Sequence, residues 1–149
     1  RGTVKIVALA GQGLRADSCE VHTAGRPHRI ELLTDRPELT ADGQDLAFIT
    51  VRVVDKHGNL CPEASEQVEF RVTGTGSFRA AANGDPTSLE LFHEPRMSLF
   101  KGQLVALVQA AEQSGRIFFE ARIKGLKKAV AELRTIRKHE TDKTIEYEN

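Results

Sequence analysis

The chain has 149 residues, with 21 Lys and Arg balanced against 21 Asp and Glu, so its formal net charge is zero. That balance offers no electrostatic basis for holding DNA, RNA or an anionic membrane, and the length falls short of the roughly 250 residues typical of a (β/α)8 barrel. No apolar run approaches the roughly 18 uninterrupted residues of a membrane-spanning helix.

The first strand-like pieces are Val4–Ala8 and Cys19–Val21, which flank Gly11-Gln12-Gly13 like the arms of a hairpin. Two strands alone are marginal in water, so this piece is expected to dock, exchange or stay mobile. Ala47, Ile49, Val51 and Val53 then alternate with Phe48, Thr50 and Arg52. A period of two places each set on its own face of a strand. Val68, Phe70 and Val72 repeat the pattern against Gln67, Glu69, Arg71 and Thr73, and Ile117, Phe119, Ala121 and Ile123 repeat it against Phe118, Glu120 and Arg122. Turn chemistry punctuates these runs: Ala41-Asp42-Gly43-Gln44, Asp55-Lys56-His57-Gly58-Asn59, Gly74-Thr75-Gly76, Asn83-Gly84-Asp85-Pro86 and Gln113-Ser114-Gly115. Glycine and asparagine tolerate positive φ, and Pro86 pushes Asp85 towards an extended shape. Short strands at this spacing predict an all-β, antiparallel sandwich.

One segment reads differently. Leu126, Ala129, Val130 and Leu133 recur at helical spacing among good helix formers, so local spacing slightly favours a helix over Leu126–Lys138. A last strand with Ala129, Ala131 and Leu133 on one face is the alternative. Residues 139–149 are polar and charged, and are expected to form a tail.

Thr23-Ala24-Gly25-Arg26-Pro27, Ile30-Glu31-Leu32 and Leu39-Thr40-Ala41-Asp42-Gly43-Gln44-Asp45-Leu46 resemble the opening of an immunoglobulin-like domain. That domain lies near the C-terminus of bacterial glycoside hydrolase family two enzymes, the β-galactosidase group. The similarity continues through Val51–Asp55, Gly58-Asn59, Val72–Gly76 and the turn Asn83-Gly84-Asp85-Pro86-Thr87-Ser88, with Phe100-Lys101-Gly102 and Gly115 following in order. It spans residues 23–136. The resemblance implies an immunoglobulin-like antiparallel β-sandwich of about seven strands over 25–138, closed by Val130–Ile136. It implies that 1–24 are the closing strands of a preceding sandwich domain, and that the chain is an excised piece of a longer enzyme. That parent would be periplasmic or extracellular, and its catalytic glutamates belong to a barrel domain, so none is carried over to this sequence.

The residues support the same non-catalytic expectation. Glycoside hydrolysis uses two carboxylates about 5–9.5 Å apart, whereas Glu63, Glu66, Glu69, Glu90 and Glu94 read as scattered surface charges. His22, His28, His57, His93 and His139 lack the spacing of zinc ligands. Asp42, Asp45, Asp55 and Asp85 sit at turns, where they read as caps on backbone N–H groups rather than as calcium ligands. Cys19 and Cys61 read as two free thiols. Gly74-Thr75-Gly76 leads into no helix, as a phosphate loop would. The basic residues between Arg122 and Lys138 alternate with Glu132 and have no aromatic platform. No metal or cofactor is expected. Neighbouring domains of the parent are the expected partners. Weak carbohydrate binding is the alternative, with outward Phe48 and Phe118 as a platform, and an adhesin-type spacer is a further one. If a loop carries function, it is Asn83-Gly84-Asp85, since sandwich function lives in end loops.

Overall fold

A computed structural model describes the backbone of residues 3–10 and 14–138, and side chains from 23 to 138. Strands β1 (Thr3–Ala10) and β2 (Leu14–His22) pair antiparallel in a separate two-stranded sheet, with a register shift between Ala8 and Leu9. The two strand-like pieces therefore pair as the arms of a hairpin. The Gly11-Gln12-Gly13 turn, the Cys19 thiol and the 139–149 tail lie outside the described residues.

Nine further strands follow among the described residues: β3 (Arg29–Thr34), β4 (Glu38–Thr40), β5 (Leu46–Val54), β6 (Gln67–Gly74), β7 (Gly76–Ala82), β8 (Arg96–Ser98), β9 (Gln103–Ala110), β10 (Gly115–Ile123) and β11 (Ala129–Ile136). They build two sheets, one ordered β3-β5-β9-β7 and the other β4-β11-β10-β6-β8. Seven of the nine have six or more residues and match the expected seven; β4 and β8, three residues each, were too short for any alternation to announce. The sandwich is not purely antiparallel. Strand β4 runs parallel to β11, with Leu39 opposite Thr135.

The alternating faces meet as a filled interior. Ala47, Ile49, Val51 and Val53 of β5 and Ile117, Phe119, Ala121 and Ile123 of β10 are all buried. Phe70 is sandwiched between Phe78 and Phe119, with ring centroids 5.5 and 5.7 Å away. Burying each large apolar side chain contributes roughly 1.5–3 kcal/mol, which is what orients every strand with this face inward.

The chain changes sheets at every step from β3 to β10, and two of these crossings are tight corners. Between β3 and β4, Asp35 closes the corner by donating its N–H to the Phe48 carbonyl at 3.0 Å and accepting the Phe48 N–H on Oδ1 at 2.9 Å. Between β6 and β7 the crossing takes a single residue, Thr75. Gly74-Thr75-Gly76 thus ends β6, as the turn residues predict, and also serves as a sheet-to-sheet corner. Gly74 sits at φ +91, and a Cβ there would lie 2.0 Å from the Arg116 carbonyl oxygen. Thr75 is fastened by its N–H to that same oxygen at 2.9 Å, and by its hydroxyl to the buried Thr135 at 2.6 Å. Thr135 in turn donates to the Gln113 carbonyl at 2.7 Å.

Local helical spacing over 126–138 loses to tertiary pairing. Gly125, at φ +88, turns the chain back, and Ala129–Thr135 then bond along β10. Leu133 and Thr135 are buried there. Helix propensity differs by only tenths of a kcal/mol per residue, less than the ladder and core burial that β11 supplies.

Candidate functional site

The loop singled out by sequence, Asn83-Gly84-Asp85, leaves β7 and opens a long excursion that returns in β8. Asn83 is bonded at both ends of its amide: Oδ1 accepts the Asp85 N–H at 3.0 Å and Nδ2 donates to the Ser98 carbonyl at 3.0 Å. Asp85 Oδ1 accepts the Thr87 N–H at 2.9 Å and its hydroxyl at 2.7 Å. Those Thr87 bonds, side chain first, lower the Asp85 pKa. Gly84 stands at φ +77 with open space around its Cα. Every polar side-chain group of this turn is therefore engaged by the loop itself or by β8.

Sequence reasoning missed the partner of this turn. Glu90 accepts the Ser98 N–H at 3.1 Å and its hydroxyl at 2.9 Å. Nothing local in the sequence links Glu90 to a residue eight positions on. Farther along, the Phe92 carbonyl accepts the Ala81 N–H, and the Pro95 carbonyl accepts the Phe70 N–H, both at 2.8 Å. The loop thus straps the β7 and β6 edges together on one side of the sandwich. Its apolar side chains Leu89, Leu91 and Phe92 face solvent.

The other turn aspartates behave as caps. Asp42 Oδ1 accepts the Gln44 and Asp45 N–H groups, both at 2.8 Å. Asp45 accepts the Thr40 N–H at 2.7 Å and pairs with Arg36; the Thr40 bond is the main cause of its lowered pKa, against the opposing pull of burial. Asp55 is almost fully buried. It accepts N–H groups from Gly25 at 2.8 Å and from His57 and Asn59 at 2.9 Å. The Gly25 bond does most to hold its carboxyl well below the usual aspartate range, although burial opposes it. Cys61 is a free, buried thiol next to this turn; burial first, then the charges of Asp55 and Glu66, push its pKa up.

The remaining sequence candidates do not converge. Phe48 and Phe118 both face outward, but on opposite sheets, so they form no common platform. Glu66 and Glu69 line an open groove together with Arg122, Lys124 and Lys128. Glu120 pairs with Arg122 and with Lys128 at 3.6 Å, and the Arg122 bond is the first cause of its lowered pKa. Arg116 pairs with Glu132 at 3.4 Å. The basic run before Lys138 is accordingly interlaced with acids on one sheet face.

A two-sheet sandwich with β4 parallel to the closing strand, and with a chain that alternates between the sheets, defines a β-sandwich domain of the immunoglobulin-like kind. The model of glycoside hydrolase family 2 C-terminal domain 5 matches residues 30–132, and the chain belongs to that family. It is 40% identical over 132 residues to the β-galactosidase BoGH2A of Bacteroides ovatus, a match covering 89% of this chain and 15% of that protein. It is 29% identical over 139 residues to a β-glucuronidase of Formosa agariphila, of which it spans 14%. A crystal structure of a family 2 glycosyl hydrolase from Bacteroides cellulosilyticus superposes with TM-score 0.88 at 30% identity, over 91% of this chain and 17% of that one. The chain therefore spans about one seventh of the curated relatives it matches.

Proposed function

We propose that this domain is a non-catalytic accessory module of a longer β-glycosidase, whose work is to pack against neighbouring domains and hold them in place. One observation carries the reading. Among the described residues, the carboxylates with displaced pKa values, Asp45, Asp55, Asp85 and Glu120, are all displaced downward. A glycosidase needs the reverse in one member of its pair, a carboxylic acid raised so that it is protonated near neutral pH and can donate to the leaving oxygen. These four are held as anions by backbone N–H groups, the Thr87 hydroxyl and cationic partners. The parent's chemistry on β-galactosides or β-glucuronides follows from what the relatives are named for, and its carboxylate pair would lie in another domain.

The test has two arms. The purified 149-residue chain is assayed with nitrophenyl β-galactoside and β-glucuronide, and turnover of either above the buffer rate overturns the reading. The longer polypeptide is then compared with a form lacking 25–138. The expected result is a lower unfolding temperature of the remainder; an unchanged transition counts against a packing role.

A further inference from the structure

Residues 23–28, between β2 and β3, have the composition of a free linker. Thr23-Ala24-Gly25-Arg26-Pro27-His28 holds no large apolar side chain, and the family match begins only at residue 30. The structure nevertheless ties this segment to the sandwich. Asp55 divides its bonds between its two carboxylate oxygens. Oδ1 accepts the His57 and Asn59 N–H groups, both at 2.9 Å, which is what capping the 55–59 turn requires. Oδ2 takes the Asn59 side-chain amide at 3.3 Å and, from 30 residues upstream, the Gly25 N–H at 2.8 Å.

Cys61 supplies a second grip. Its Sγ lies 3.7 Å from the Gly25 carbonyl oxygen, within reach of a weak S–H donor. Burial, then the charges of Asp55 and Glu66, raise the pKa of that thiol, so it keeps the proton it donates. Both backbone polar groups of Gly25 are thereby taken by one turn. Farther along, the His28 N–H bonds the Val54 carbonyl at 2.9 Å. Between these anchors stand Arg26 and Pro27; proline fixes its own φ and pushes the residue before it towards an extended shape. The gripping turn is itself rooted in β5. The Asp55 N–H bonds the Asn59 carbonyl and the Cys61 N–H bonds the Val53 carbonyl, both at 2.9 Å. Asp55 and Cys61 are buried, and Ala24 packs against the core. We infer that residues 23–28 form a clasped joint, in which Asp55 and Cys61 hold Gly25 so that the chain approaches the sandwich from one set direction instead of swivelling about β3. A hydrogen bond to a carboxylate is roughly twice as strong as a neutral one, and giving it up leaves a buried charge short of a donor. The clasp goes beyond the accessory-module reading and stands without it.

Cys61 reports on the clasp, because its sulfur lies against Gly25. In a Cys19→Ser background, the rate at which a maleimide labels Cys61 follows the fraction of time that it is uncovered. Gly25→Pro removes the N–H that Asp55 holds and leaves the Asp55 charge in place beside the thiol. Gly25→Ala keeps that N–H and puts a Cβ 3.5 Å from Asp55 Oδ2, an ordinary contact. Gly74→Ala, at the opposite end of the sandwich, lowers overall stability without touching the clasp. The expected result is that G25P labels about tenfold faster or more than the Cys19→Ser chain, while G25A and G74A stay within about twofold of it. Equal rates for G25P and the Cys19→Ser chain overturn the inference. So does a comparable acceleration in G25A, which traces the effect to bulk at position 25, or in G74A, which traces it to unfolding of the whole domain.

Discussion

Replacing Gly74 by alanine should cost far more than replacing Gly84, although both glycines hold positive φ. At Gly84 a Cβ meets nothing within 4 Å. The strain of positive φ, roughly 1–2 kcal/mol for an L-residue, is partly offset by the about 0.4–1 kcal/mol that alanine gains by restricting the unfolded chain. G84A should therefore lose about 1 kcal/mol or less. At Gly74 the same Cβ would stand 2.0 Å from the Arg116 carbonyl oxygen, which already receives the Thr75 N–H at 2.9 Å. Backbone must move, and the displaced carbonyl gives up bonds of about 0.5–1.5 kcal/mol each. The total for G74A is about 2–4 kcal/mol, a sizeable part of the 5–15 kcal/mol typical of a domain. Urea unfolding of the three proteins measures both losses, with an unchanged m-value confirming that the same transition is compared. A G74A unfolding free energy within about 0.5 kcal/mol of that of G84A would refute the close-approach account of this corner.

Two further outcomes test the core and the buried turn. Phe119→Ala should lose about 3–5 kcal/mol by emptying a fully buried site stacked on Phe70. Its neighbour Phe118, half-exposed on the other face, should lose well under half of that when changed to alanine; similar losses would contradict the assigned faces. Asp55 has a folded pKa depressed below the ordinary 3.8, so its stabilisation is present above that value and is lost as pH falls through the lower folded value. Wild type should exceed D55N in unfolding temperature at neutral pH, and the gap should narrow as the pH drops below 3.8 towards about 2. A gap independent of pH would show that the charge on Asp55 contributes nothing.

The sequence alone decided which side chains go inward. The alternation in 47–53, 68–72 and 117–123 required no knowledge of partners, because the side-chain period of a strand is a property of its own backbone. The turn aspartates were legible for the same reason: Asp42 and Asp85 cap N–H groups two or three residues away, and Asp55 caps His57 and Asn59. What tertiary structure decided was everything set by distant neighbours. Strands β4 and β8 exist only because edges of longer strands offer them bonds. Residues 129–136 became a strand because β10 had a free ladder. Thr75 proved to be a crossing between sheets, Glu90 reached Ser98, and Phe48 and Phe118 were set on opposite exteriors. Local pattern fixes which face of a strand is apolar, but which sheet that strand joins, and in which direction, depends on groups far away along the chain.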